Sequence, residues 1–106
     1  MTFLEYQQEA LKTLHPSGDA MYLATKLMCE AAEVTEPIAK NTYHGKHLDS
    51  EVIADELGDV LWYLATLANL FGYTLDEIVE KNIAKIRARH GERYNANHYM
   101  ESQYGN

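Results

Sequence analysis

Glu30-Ala31-Ala32-Glu33 and Glu56-Leu57-Gly58-Asp59 are the residues whose type and spacing promise chemistry. Side chains three apart on a helix are surface neighbours, so each pair presents two carboxylates together if its segment is helical. Both pairs border apolar stripes. At roughly 100° per residue, one stripe holds Ile53, Leu57, Val60, Leu64, Leu67 and Phe71, with Glu56 inside it and Asp59 on its margin. Glu30 falls within about 20–40° of Leu23 and Val34 on the preceding helix, and Glu33 and Glu36 step outward from there. A carboxylate facing a core is costly unless something pairs with it.

If the two helices pack side by side, Glu30, Glu33, Glu56 and Asp59 converge on one pocket. Unpaired, they would repel one another and take up protons. Hard oxygen donors suit Mg²⁺ or Mn²⁺, and without His or Cys at metal spacing zinc is a poor fit. The competing reading is a solvated acidic face with no ligand. Tyr63, one turn on and between Glu56 and Asp59 on the wheel, is a candidate substrate contact. Trp62 points away from the carboxylate edge by helical phase, which assigns it to packing or a subunit interface.

The elements that must position these groups are legible from their ends. Thr2-Phe3-Leu4-Glu5 fits a capping box and opens a helix through Phe3, Tyr6, Ala10, Leu11 and Leu14. That helix stops at His15-Pro16-Ser17-Gly18. Asp19 caps a second helix, expected to run to about Lys40 with Leu23, Leu27, Ala31, Val34 and Ile38 as its stripe. Pro37 removes one backbone donor there, so a kink or an early end is expected. Asn41 to Leu48 reads as a loop. Asp49 or Ser50 caps a third helix to about Phe71, and Gly72 is its stop. Thr74-Leu75-Asp76-Glu77 is a second capping box, opening a helix through Leu75, Ile78, Val79, Ile83 and Ile86. The expected fold is all-α, a four-helix bundle-like protomer over residues 1–94. Residues 95–106 are a polar tail, rich in Tyr and Asn, loosely ordered or docked on a partner.

Composition bounds the function. The 106 residues carry a net charge of −7, which argues against a nucleic-acid surface, because affinity there comes from Lys and Arg on phosphates. A small phosphorylated ligand remains compatible if metal ions bridge the repulsion. The single Cys29 forms no internal disulfide and suits a reducing cytoplasm. Met-Thr-Phe-Leu-Glu-Tyr at the start has no signal-peptide character and no apolar run reaches about 18 residues, so no membrane association is expected. The apolar stripes, extended by Leu61 and Trp62, are wider than one small bundle covers, which predicts a homo-oligomer.

The fourth helix adds a basic element. Asn82 falls inside its stripe, between Ile78 and Ile86, and Lys85 and Arg89 flank that stripe. Lys and Arg on one face can hold phosphate oxygens, Arg in bidentate fashion. The competing reading has them complementing the helix dipole, and Arg87 fits that better.

Taken together, Glu30-x-x-Glu33, then Glu56-x-x-Asp59 within Glu-Leu-Gly-Asp-Val-Leu-Trp-Tyr-Leu, resemble the MazG-type all-α nucleoside triphosphate pyrophosphohydrolases. The likeness extends to His44-Gly45 and to Glu80-Lys81-Asn82-x-x-Lys85-Ile86-x-x-Arg89, and spans about residues 4 to 94. Cys29 stands where the family often has a further Glu, and Pro37 interrupts a helix usually uninterrupted there. The resemblance implies Mg²⁺-dependent hydrolysis of a nucleoside triphosphate to monophosphate and pyrophosphate. It implies Glu30, Glu33, Glu56 and Asp59 as metal ligands, with Glu33 or Glu36 activating water. Asn82, Lys85, Arg89 and Tyr63 would contact substrate, in a homodimer or homotetramer with sites near the interface. Two alternatives stand beside it: a phosphoribosyl-ATP or deoxyuridine triphosphate pyrophosphatase of the same superfamily, and a non-enzymatic helical oligomerisation module.

Overall fold

Thr2 and Glu5 close a reciprocal cap, each side chain bonding the other's backbone N–H at 3.0–3.1 Å, and α1 runs from there over Phe3–Lys12. The computed structural model describes residues 1–91, and the expected tail at residues 95–106 lies outside them. Three further helices follow: α2, Ala20–His44; α3, Ser50–Leu70; and α4, Leu75–His90. Among the described residues no strand occurs, and none of the helices is long and apolar enough to cross a membrane. Asp19, Asp49 and Thr74 each cap their helix through a side-chain oxygen, as their short polar side chains predict.

α2 runs four residues beyond the expected Lys40, through Pro37 and into the stretch expected as a loop. A proline this late removes a single donor, and the helix ends only where a glycine allows a left-handed residue. Gly45 takes φ 64°, and its N–H bonds the Asn41 carbonyl at 3.1 Å. Asn41 itself fastens the exit, its side-chain amide donating to the Lys46 carbonyl at 2.8 Å. α3 ends at the expected place. Gly72 has φ 82°, Tyr73 N–H reaches back to Ala68 O and Gly72 N–H to Asn69 O, both at 2.9 Å, the paired bonds of a Schellman motif.

α2 and α3 pack along much of their length as a hairpin, while α1 lies across α3 and touches α4, and α4 touches α1 and α3 but not α2. The buried apolar residues among those described are Ala10, Leu23, Ala65 and Leu75; Ala10, Ala65 and Leu75 form one cluster with Tyr6, Leu61, Trp62 and Ala68 packed against it. Gln7 is the polar centre of this core, 2% exposed. Its amide donates to the Ala65 and Tyr73 carbonyls at 2.9 and 3.1 Å, and its oxygen accepts from Leu75 N–H at 3.0 Å. One side chain of α1 thus ties down the corner between α3 and α4. Gln7 shares its wheel face with Phe3, Ala10 and Leu11, so a polar residue inside an apolar stripe was the available signal.

The α3 stripe expected to face the core is only partly covered. Ile53, Val60 and Leu67 are half-buried, whereas Leu57, Leu64 and Phe71 are 52, 44 and 66% exposed. Ala65 and Thr66 are the residues that α3 buries. α3 is apolar nearly all round, so its wheel offers more than one face, and α1 selects the one carrying Leu61, Trp62 and Ala65. The expected stripe of α4 is likewise uncovered beyond the buried Leu75 at its start. Ile78, Ile83 and Ile86 are each about 40% exposed and Asn82 is exposed, so Asn82 faces no core within the protomer. Between α1, α3 and α4 opens a groove of about 460 Å³ with an apolar lining that includes Phe3, Leu64, Phe71, Ile78 and Val79.

Candidate metal centre

In a helical hairpin, each step up one helix matches a step down the other, so two pairs at equal spacing meet in register. Glu33 then faces Glu56, and Glu30 faces Asp59, one turn apart on each helix. The structure follows this register. Oxygen atoms of Glu30, Glu33 and Glu56 lie within 4.8 Å of one another. Asp59 stands beside this group rather than within it: its charge acts on both Glu30 and Glu56, and it lines a cleft together with Glu30.

Electrostatics mark the cluster as uncompensated. Burial pushes the Glu30 carboxyl above its ordinary value, reinforced by the charges of Glu33 and Asp59 and opposed by Lys26. Glu56 is raised first by sharing a hydrogen bond with Glu33, then by burial and the charges of Glu33, Asp59 and Glu30. One oxygen of Glu30 and one of Glu56 are buried with no hydrogen-bond partner. Buried polar atoms are nearly always satisfied, and a carboxylate can accept but not donate. Two orphaned acceptors on members of an all-oxygen, anionic group are what a hard divalent cation would satisfy, so the residues fit Mg²⁺ or Mn²⁺.

Glu36 is elsewhere engaged. Its carboxylate pairs with Lys40 at 2.8 Å, which holds its pKa below the ordinary range. It borders a second cleft with Glu33 and Glu56, on the opposite flank of the cluster from Asp59. Tyr63 is half-buried in the cleft shared by Glu30 and Asp59, and burial raises its phenol, with Tyr22 as a hydrogen-bonding neighbour. Trp62 lines the same cleft, against the expectation that it points away. α1 accounts for this: the indole N–H donates to Thr13 Oγ1 at 3.0 Å, turning the ring toward the end of α1. The packing role expected of Trp62 holds.

Asn82, Lys85 and Arg89 do not join this group. All are exposed on α4, which makes no contact with α2. The sequence carries no local signal for that separation, because the angle at which α4 leaves the Gly72 corner is set by packing on α1.

The raised carboxyls predict a pH dependence. Between the ordinary value of 4.5 and the raised one, the folded chain keeps protons on Glu30 and Glu56 that the unfolded chain has released. The unfolded state then binds fewer protons, so this contribution to stability falls as pH rises through that window. Glu5, Glu36 and Glu77 have lowered pKa values and act oppositely, losing stability as pH falls through theirs. The informative quantity is therefore the melting temperature of the wild type minus that of Glu56→Gln, in chelator. It should decrease as pH rises above 4.5, and an increase would reject the cluster's electrostatics.

The family described as MazG nucleotide pyrophosphohydrolase domain matches residues 20–94, the span carrying both acidic pairs. The Gene 37 protein of Mycobacterium phage L5 is 31% identical over 72 residues, an overlap covering 64% of this chain and 63% of that protein. No solved structure matches. The chain belongs to the family of MazG nucleotide pyrophosphohydrolase domains.

Proposed function

We propose that the protein hydrolyses a nucleoside triphosphate between its α- and β-phosphates, releasing a monophosphate and pyrophosphate. The observation that carries this reading is the meeting of Glu30, Glu33 and Glu56, two of which keep a buried oxygen without a partner, in a chain of this family. Glu30, Glu33, Glu56 and Asp59 would hold Mg²⁺ or Mn²⁺. When bound, the cation supplies charge neutralisation and Lewis-acid polarisation of the phosphate. Glu36 is tied to Lys40, which makes it the poorer base; Glu33, between Glu30 and Glu56, orients the attacking water and accepts its proton. Tyr63 bounds the substrate on the Asp59 side.

Asn82, Lys85 and Arg89 serve in this reading from a second copy of the chain. Their own protomer keeps them away from α2, while the uncovered apolar faces of α3 and α4 support a homodimer or homotetramer. Lys85→Ala and Arg89→Ala should each lower turnover by about tenfold or more, equivalent to roughly 1.4 kcal/mol of transition-state stabilisation. Arg87→Ala should stay near wild type. Mixing Lys85→Ala with Glu56→Gln should restore part of the lost activity if sites are shared between copies. Mixtures no better than their components would confine each site to one protomer.

The bond cleaved is tested directly. Hydrolysis in ¹⁸O-water with Mg²⁺ and a nucleotide panel should yield monophosphate and intact pyrophosphate, with label in one of the two. Free phosphate as the first product would reject this reaction. The same panel distinguishes a general triphosphate substrate from phosphoribosyl-ATP or deoxyuridine triphosphate.

A further inference from the structure

We propose that the corner formed by Trp62 and Tyr63 stacks the nucleobase of the substrate, an inference that rests on the function proposed above. The two rings stand nearly perpendicular, at 80°, with centroids 4.8 Å apart. They line a cleft of about 410 Å³ with Thr13, Glu30 and Asp59, so the aromatic corner opens directly beside the carboxylates. A base lying flat on one ring meets the other at its edge, an arrangement aromatic quadrupoles favour.

The indole is set before any ligand arrives. Its N–H donates to Thr13 Oγ1 at 3.0 Å, and that hydroxyl donates onward to the Ala10 carbonyl at 2.8 Å. A side chain already fixed loses little entropy on binding. The same bond occupies the only hydrogen-bond donor an indole has, so Trp62 offers a base its π-face and nothing that reads an edge. Stacking of this kind tolerates every base. The corner therefore selects for the presence of an aromatic base on the polyphosphate while discriminating weakly among bases.

Trp62 is the chain's one tryptophan, so intrinsic emission reports on this corner in the full-length protein. With Mg²⁺ present, guanosine monophosphate should change the emission saturably, whereas inorganic tripolyphosphate should leave it unchanged. Trp62→Ala should raise KM for guanosine triphosphate by about tenfold or more with a smaller effect on kcat, and Trp62→Phe should stay within about threefold of wild type. A role confined to packing predicts instead a lower melting temperature with KM unmoved. If Trp62→Ala does not fold, the emission of the wild type and the kinetics of Trp62→Phe and Tyr63→Leu decide. Equal responses to tripolyphosphate and guanosine monophosphate, or an unmoved KM while hydrolysis continues, overturn the stacking role and leave the hydrolase intact. Absence of hydrolysis with any nucleotide overturns both.

Discussion

Glu33→Gln and Glu56→Gln are expected to lower turnover at least about a hundredfold, beyond the loss typical of residues that merely support a metal's ligands. Both replacements keep the shape and remove the anionic oxygens that meet Glu30 within 4.8 Å. The accompanying signature is thermal. A cation bound only by the folded chain at about a hundred times its Kd contributes about 2.7 kcal/mol, or roughly 10 °C or more in a domain of this size. Millimolar Mg²⁺ or Mn²⁺ should raise the melting temperature of the wild type, and either glutamine variant should lose that increment. The variants should also be more stable than wild type in chelator, because they relieve the repulsion that raises Glu30 and Glu56. Asp59→Asn tests whether the neighbouring carboxylate completes the set; loss of its metal response would assign it a ligand's part. Identical melting with and without metal in the wild type would dismiss the centre altogether.

Replacing Gln7 should produce a large loss of stability. Its side chain is 2% exposed, and Gln7→Ala leaves the Tyr73 carbonyl and the Leu75 N–H without the bonds now made to it. The buried Leu75 N–H left unsatisfied costs about 1–3 kcal/mol, the part-buried Tyr73 carbonyl adds less, and a cavity is opened beside Ala65. A total of about 3 kcal/mol or more follows, lowering the melting temperature by at least roughly 10 °C. Gln7→Glu should be worse, since it would aim a buried carboxylate at two carbonyl oxygens. Gln8→Ala, on an exposed neighbour, serves as the control and should change little. If Gln7→Ala melts like Gln8→Ala, the corner between α3 and α4 is held by something other than this amide.

Sequence by itself determined what depends on short-range geometry. The helix starts at Thr2, Asp19, Asp49 and Thr74 were legible because a cap bonds an N–H two or three residues away. Gly72 was legible as a stop because a left-handed residue favours glycine. The pairing of Glu30 and Glu33 with Glu56 was legible because two spacings of three match in a hairpin. Only the tertiary structure decided which face of α3 is covered. On a helix apolar nearly all round, phase alone leaves several faces equivalent, and α1 breaks the tie by burying Ala65. That choice turned Trp62 toward Thr13 and into the cleft beside Glu30, and it left Leu57, Leu64 and Phe71 uncovered. The course of α4 away from α2 is likewise beyond any local pattern, because it follows from a crossing angle that Gln7 and the α1 surface impose at a single corner.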